Sequence, residues 1–246
     1  MKAVIFNSGL GHRMGDATKT HHKSMSLLKN GETIFHRQIR LLSAEGITDF
    51  IITTGPFEEQ LKAEAADFPH LNFTFVPNPI YDKTNYIYSM YLAREHMDDD
   101  TVFLHGDLVF NRKLLHDVLQ CSDKSLGTVN FSKALPEKDF KARVRDGKLL
   151  EVSIHIFDED CFAFQPLYKL DKATTAAWIK KIEEFIDKGE NKCYAENALN
   201  EIFSTLNVRA FSYEGYFIDE IDNMDDYARV TEEIIAFDKA DANLFN

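Results

Sequence analysis

Cysteine, proline and positive charge are all scarce in this chain, and each shortage excludes something. Its 246 residues hold only three cysteines, Cys121, Cys161 and Cys193, far apart and without a CxxC spacing. Neither a disulfide framework nor a zinc site is therefore expected, and a reducing, cytoplasmic setting is. Six prolines and 11 glycines are too few for a low-complexity or linker-rich chain, so one domain spanning residues 1–246 is expected. No apolar run approaches the roughly 18 residues that suggest a membrane helix, and the first, Ala3 to Phe6, is too short for a signal-peptide core. Lys and Arg number 28 against 40 Asp and Glu, a formal charge of -12. Such a chain repels phosphodiester backbones and anionic lipid, so neither nucleic acid nor membrane is an expected partner.

What is present is an alternation of β-branched runs and helical spacing. Strands are expected at Lys2–Phe6, Asp49–Thr53, Leu71–Val76 and Thr101–Leu104, with helices at Thr33–Glu45, Glu58–Ala66 and Ile87–His96. This βαβαβ order predicts an α/β fold: a doubly wound, mostly parallel central sheet whose ligands lie beyond the carboxyl ends of the strands. Further on, Gly127–Phe131 and Lys141–Ile156, the latter turning at Asp146-Gly147, suggest a small mixed β insert. Helices at Ala176–Asp187, Tyr194–Leu206 and Met224–Phe237 and a short strand at Val208–Phe211 complete the pattern.

The segment GLGHRMG, Gly9 to Gly15, follows the first strand. Glycines there let backbone N–H groups approach phosphate oxygens. A Walker loop is excluded, because no Gly-Lys follows, and a dinucleotide fingerprint is weak, because Met14 stands where a third glycine belongs and Thr53-Thr54-Gly55 where an acid would. What remains is GxGxR followed ten residues later by Lys23, two cations suited to dispersing triphosphate charge.

This segment resembles the signature loop of the nucleotidyltransferase family. NPIYDKTNYIYSMYLA (Asn78 to Ala93), HGD (His105 to Asp107) and EIDNMDDY (Glu220 to Tyr227) are similar to successive blocks of its phosphocholine cytidylyltransferase branch. The resemblance implies that Arg13 and Lys23 act on the triphosphate, with Lys23 nearest the reacting α-phosphate. It also implies that Asn7, Ser8, Gly9, Gly11, Asn85, Ser89 and Gly106 border the nucleotide, with CTP the favoured one. Asp107 and Asp222 would hold Mg²⁺, with Glu220 in reserve, since Mg²⁺ takes oxygen ligands. His22 stands where the family has proline; His12, His21 and His22 are read as surface residues rather than a metal cluster. The resemblance leaves room for a homodimer.

The implied acceptor is a small phosphate- or phosphonate-bearing compound. Choline-specific relatives surround a quaternary ammonium with rings, but Ala195 stands where a tryptophan is expected, and Tyr81, Tyr86 and Tyr88 read as packing aromatics. Gln165, Tyr168, Glu196 and Asn197 suit an amine or amide, so an amino-alcohol phosphate, an aminophosphonate or a phosphoglutamine-type acceptor is expected ahead of phosphocholine. Lys133, Lys141 and Arg143 are candidates for its phosphoryl group. Phosphate oxygens are already ionised near neutral pH, which accounts for the lack of any Ser/His/Asp or Cys/His constellation. Two other readings are a sugar-1-phosphate nucleotidyltransferase and a catalytically silent nucleotide sensor of the same fold.

Overall fold

The computed structural model describes residues 1–9, 14–15 and 18–245. Nine strands form one sheet in the order β3-β2-β1-β4-β9-β6-β10-β8-β7. Its first part is parallel: β3 (Asn72–Pro77), β2 (Asp49–Thr54), β1 (Lys2–Asn7) and β4 (Thr101–His105). Along β1 the side chains alternate between two layers. Ala3 and Ile5 pack with Phe35, Ile39, Leu61 and Leu114, whereas Val4 packs with Ile87, Met90, Trp178 and Ile182. A strand buried on both faces needs helices on both sides, and they are there. Helices α1 (Ile34–Ala44), α2 (Glu58–Ala65) and α4 (Arg112–Gln120) cover one face; α3 (Tyr86–Ala93), α5 (Lys172–Asp187) and α6 (Ala195–Asn200) cover the other.

Local chemistry sets several helix starts. Thr33 caps α1 by accepting from the His36 N–H at 2.9 Å, and Asp171 caps α5 by accepting from the Thr174 N–H at 2.7 Å, each satisfying a donor that the helix leaves unpaired. Asn223 does the same for α7 (Met224–Leu244), accepting from the N–H groups of Asp225 and Asp226.

The region expected to be a small mixed insert continues the main sheet. Strand β9 (Cys161–Leu170) runs antiparallel between β4 and β6 (Leu126–Asn130) and joins the parallel part to the hairpin of β7 (Lys141–Arg145) and β8 (Lys148–Ser153). Strand β10 (Arg209–Ser212) lies parallel to β6. Neither β9 nor α4 is among the elements expected from the sequence. The first hides its alternation because it is buried on both faces; the second shows only Leu114, Leu115 and Val118 as its inner stripe.

One small element positions the charged end of the sheet. Just past β4, β5 (Leu108–Phe110) leaves the sheet and pairs antiparallel with β11 (Ile218–Glu220), with Leu108 opposite Glu220. The Ile221 N–H donates to the Asp107 carbonyl at 3.1 Å. This ribbon carries the EID block to the end of β4.

Candidate active site

A cleft of about 560 Å³ opens at the carboxyl ends of β1 and β4, the rim where an α/β sheet places ligands. Its charged centre is Lys23, whose ammonium bonds Asp222 Oδ1 at 2.9 Å and pairs with Asp107. Burial alone would lower the Lys23 pKa, but the two carboxylates outweigh it and raise it, so the ammonium stays charged. Beside it His105 Nδ1 lies 3.1 Å from Glu220 Oε1. Burial and the neighbouring Asp107 charge push Glu220 up to about 7.

Oxygen donors converge here. Ligand atoms of His105, Asp107 and Glu220 lie within 4.8 Å of one another, and so do those of Asp139, Glu220 and Asp222. Asp107 Oδ1 is buried with no hydrogen-bond partner. A carboxylate oxygen left in that state is costly unless a cation completes it, so the donor set fits a hard divalent ion such as Mg²⁺. Asp139 is an addition to the expected set, brought in by the loop before β7.

Of the residues expected to border a nucleotide, Ser8 and Gly9 line the cleft. Asn7 is fully buried with both side-chain polar atoms unpaired, and Ser8 Oγ is likewise unpartnered. Gly106 sits beside Asn7: a Cβ there would overlap the Asn7 side chain, and a Cβ on Gly55 would stand 2.6 Å from the Ser8 carbonyl oxygen. Glycine at both places lets three strand ends close up. Asn85 and Ser89 also line the cleft. Asn85 caps α3 through the Tyr86 N–H at 2.7 Å, and Ser89 Oγ accepts from Asn78 Nδ2 at 3.0 Å. Gly11, His12 and Arg13 lie outside the described residues. His22 is a correction: it is buried, and its Nδ1 accepts from the Ser24 N–H at 3.1 Å, capping a short turn. Burial brings its pKa down to about 4, so the ring is neutral at pH 7 and, like Lys23, lines the cleft.

The residues expected around the acceptor are placed differently, and none of them lines the cleft. The Lys141 ammonium donates to the carbonyls of Ile154 at 2.7 Å and Pro136 at 2.9 Å. Arg143 is held by Glu151, Asp158 and Asp160. Lys133 is exposed, 3.6 Å from Asp219. Gln165 is buried in β9, where its backbone carbonyl accepts from Thr128 Oγ1 at 2.8 Å. Asn197 is exposed on α6. Glu196 and Tyr168 form a buried unit: Glu196 accepts from Tyr168 at 3.1 Å and from the Tyr86 hydroxyl. Burial raises the Glu196 pKa.

The cleft instead carries an aromatic wall. Tyr86 and Phe140 each contact Tyr194, at centroid distances of 6.2 and 5.0 Å, and Phe6 contacts Tyr86 at 5.2 Å. Tyr86 and Phe140 also face the His105 ring. Phe6, Phe140 and Tyr194 carry no signal in the sequence, because they come from three separate segments with no shared spacing.

Comparisons with known proteins bear on the family and the fold. The chain is 26% identical over 237 residues to a choline-phosphate cytidylyltransferase of Streptococcus pneumoniae, covering 94% of this chain and 97% of that protein. It is 25% identical over 162 residues to a CTP:phosphoglutamine cytidylyltransferase of Campylobacter jejuni, covering 62% of each. A solved CTP:phosphocholine cytidylyltransferase from Streptococcus pneumoniae superposes with a TM-score of 0.79 over 95% of this chain and 98% of that one, at 22% identity. That likeness establishes the Rossmann-like nucleotidyltransferase fold. Residues 3–191 match the MobA-like NTP transferase domain, and the chain belongs to that family.

Proposed function

We propose that this protein transfers the cytidylyl group of CTP to a small acceptor bearing both a phosphate or phosphonate and a nitrogen head group, with release of pyrophosphate. The observation that carries the reading is the Lys23–Asp107–Asp222 cluster, set at the ends of β1 and β4 in an open cleft. CTP as donor is supported by the relatives, whose names specify cytidylyl transfer.

An acceptor oxygen attacks the α-phosphorus of CTP, the bond to the bridging oxygen breaks, and pyrophosphate carries the electron pair away. The attacking oxygen is already ionised, so the protein's work is placement and charge dispersal. Ser8, Gly9, Asn85 and Ser89 border the nucleotide, and Asn7 and Gly106 support them from behind. Lys23 meets the charge that grows on the α-phosphoryl oxygens. The family resemblance adds Gly11 and Arg13, which lie outside the described residues, as candidates for the triphosphate. Mg²⁺ would be held by Asp107 and Asp222, with Glu220 and Asp139 in reach; bound there it neutralises triphosphate charge.

The aromatic wall and Asp139 favour a cationic head. A primary ammonium can lie on the rings and also donate hydrogen bonds to carboxylates, whereas a trimethylammonium can only lie on them. A panel of phosphoethanolamine, aminoethylphosphonate, phosphoglutamine, phosphocholine and glucose 1-phosphate, each with CTP, UTP and ATP, tests the reading by pyrophosphate release and product mass. The expected result is CTP-dependent turnover, with an amine-bearing acceptor at least about tenfold above phosphocholine in kcat/KM. Dominant CDP-choline would overturn the head-group assignment, and turnover only with the sugar phosphate would overturn the acceptor class.

A further inference from the structure

A dianionic acceptor entering this cleft meets a charge problem. Asp107, Asp139, Glu220 and Asp222 line it, against Lys23, Lys138 and two histidines, one of them held neutral by burial. Lys23 is already shared between two carboxylates. The cations that the sequence offers to the acceptor are also committed: Lys141 to backbone carbonyls, Arg143 to three acids, Lys133 to the vicinity of Asp219.

Lys138 differs from all of these. It lines the cleft, is exposed, and makes no hydrogen bond or ion pair among the described residues. Its position is nevertheless held from both sides. Upstream, the Pro136 carbonyl is tied to the buried Lys141 ammonium. Downstream, Phe140 is buried against Tyr194 and His105, and its carbonyl accepts from the Phe164 N–H at 3.1 Å. The segment between these anchors presents Lys138 and Asp139 to the cleft beside the aromatic wall.

Resting on the proposed cytidylyl transfer at this site, we infer that Lys138 is the ligand of the acceptor's phosphate or phosphonate group. The acceptor is then gripped at both ends, its nitrogen head on the Tyr86–Tyr194–Phe140 wall and its anion on the Lys138 ammonium. Free cation, anchored loop and an adjoining wall for the head group coincide there. Lys141 acts at one remove, by fixing the loop.

The test is steady-state kinetics on the full chain with CTP and phosphoethanolamine, for wild type, Lys138→Gln and Lys138→Arg. Free ethanolamine, which lacks the anion, serves as a competing inhibitor. Lys138→Gln is expected to raise the acceptor KM about tenfold or more while kcat, the CTP KM and the ethanolamine inhibition constant stay within about twofold. Lys138→Arg is expected to return the acceptor KM to within about threefold of wild type. An active wild type with an unchanged acceptor KM in Lys138→Gln would overturn the inference and leave the proposed cytidylyl transfer standing. Equal weakening of CTP or ethanolamine would also overturn it, since a loop disturbed as a whole acts on every ligand. A wild type that releases no pyrophosphate with any acceptor of the panel would overturn the proposed transfer and this inference together.

Discussion

The two halves of the sheet use charge in opposite ways. At the end of the parallel half, beyond β1 and β4, Lys23, Asp107 and Asp222 face an open cleft, and an oxygen of Asp107 has no partner. In the antiparallel half, Lys141 and Arg143 spend their donors on backbone carbonyls or local acids. Both sets look alike as residue types. What separates them is where the partners lie: Lys23 shares its charge with two carboxylates that themselves line the cleft, whereas Lys141 and Arg143 are tied to main-chain oxygens and local acids away from it.

The largest expected effect sharpens this contrast. On the proposed transfer, Lys23→Ala and Asp107→Asn should each lower kcat by about a hundredfold or more, the first by removing a cation from the reacting phosphorus and the second by weakening the hold on the divalent ion that would share that task. Pyrophosphate release under saturating CTP measures it; an unchanged kcat in either variant removes that residue from the chemistry.

His22 provides an intermediate test, of stability rather than rate. Its pKa in the folded chain is about 4, below the ordinary value of 6.5, because the ring is buried. The unfolded chain therefore binds the proton more readily, and the neutral ring's full contribution is present above about pH 6.5 and is lost progressively as pH falls toward 4. The loss should reach on the order of 3 kcal/mol. Denaturant unfolding of wild type and His22→Asn across that window checks it, the variant showing the shallower dependence; parallel curves would count against a buried, neutral imidazole.

The smallest effect is expected in the antiparallel half. Arg143→Gln should leave kcat/KM within about twofold and lower Tm by a few degrees at most, since partly exposed ion pairs contribute little. A tenfold rise in acceptor KM would break the comparison, by showing that this guanidinium also serves a ligand.

The parts of the site visible before folding are those written as contiguous blocks. HGD and EID each hold their cleft-lining residues within a few positions, and Ser8 and Gly9 follow β1 directly, so the βαβ alternation puts Gly9 and HGD on one rim. The wall is invisible in the sequence because Phe6, Tyr86, Phe140 and Tyr194 meet only through tertiary packing. Nor can Lys141 be told there from a ligand-binding lysine, since its partners are main-chain oxygens that every residue carries. His22 reads as exposed for a related reason: a loop position gives no hint that the imidazole will serve as a cap. Strand β9 escapes because burial on both faces removes the two-residue period on which a half-exposed strand is recognised.

The ribbon of β5 and β11 also bears on timing. It joins partners such as His105 and Glu220, 115 positions apart, and contacts this distant in sequence form slowly, after much loop entropy has been lost. During synthesis the parallel strands and Lys23 leave the ribosome long before Glu220 and Asp222. A nascent chain can thus build most of its sheet while lacking half the carboxylates of its centre. The four acids gather only when the ribbon closes, so the charged centre is completed late in maturation, and a chain stalled before residue 218 carries the sheet with only half of its cleft acids.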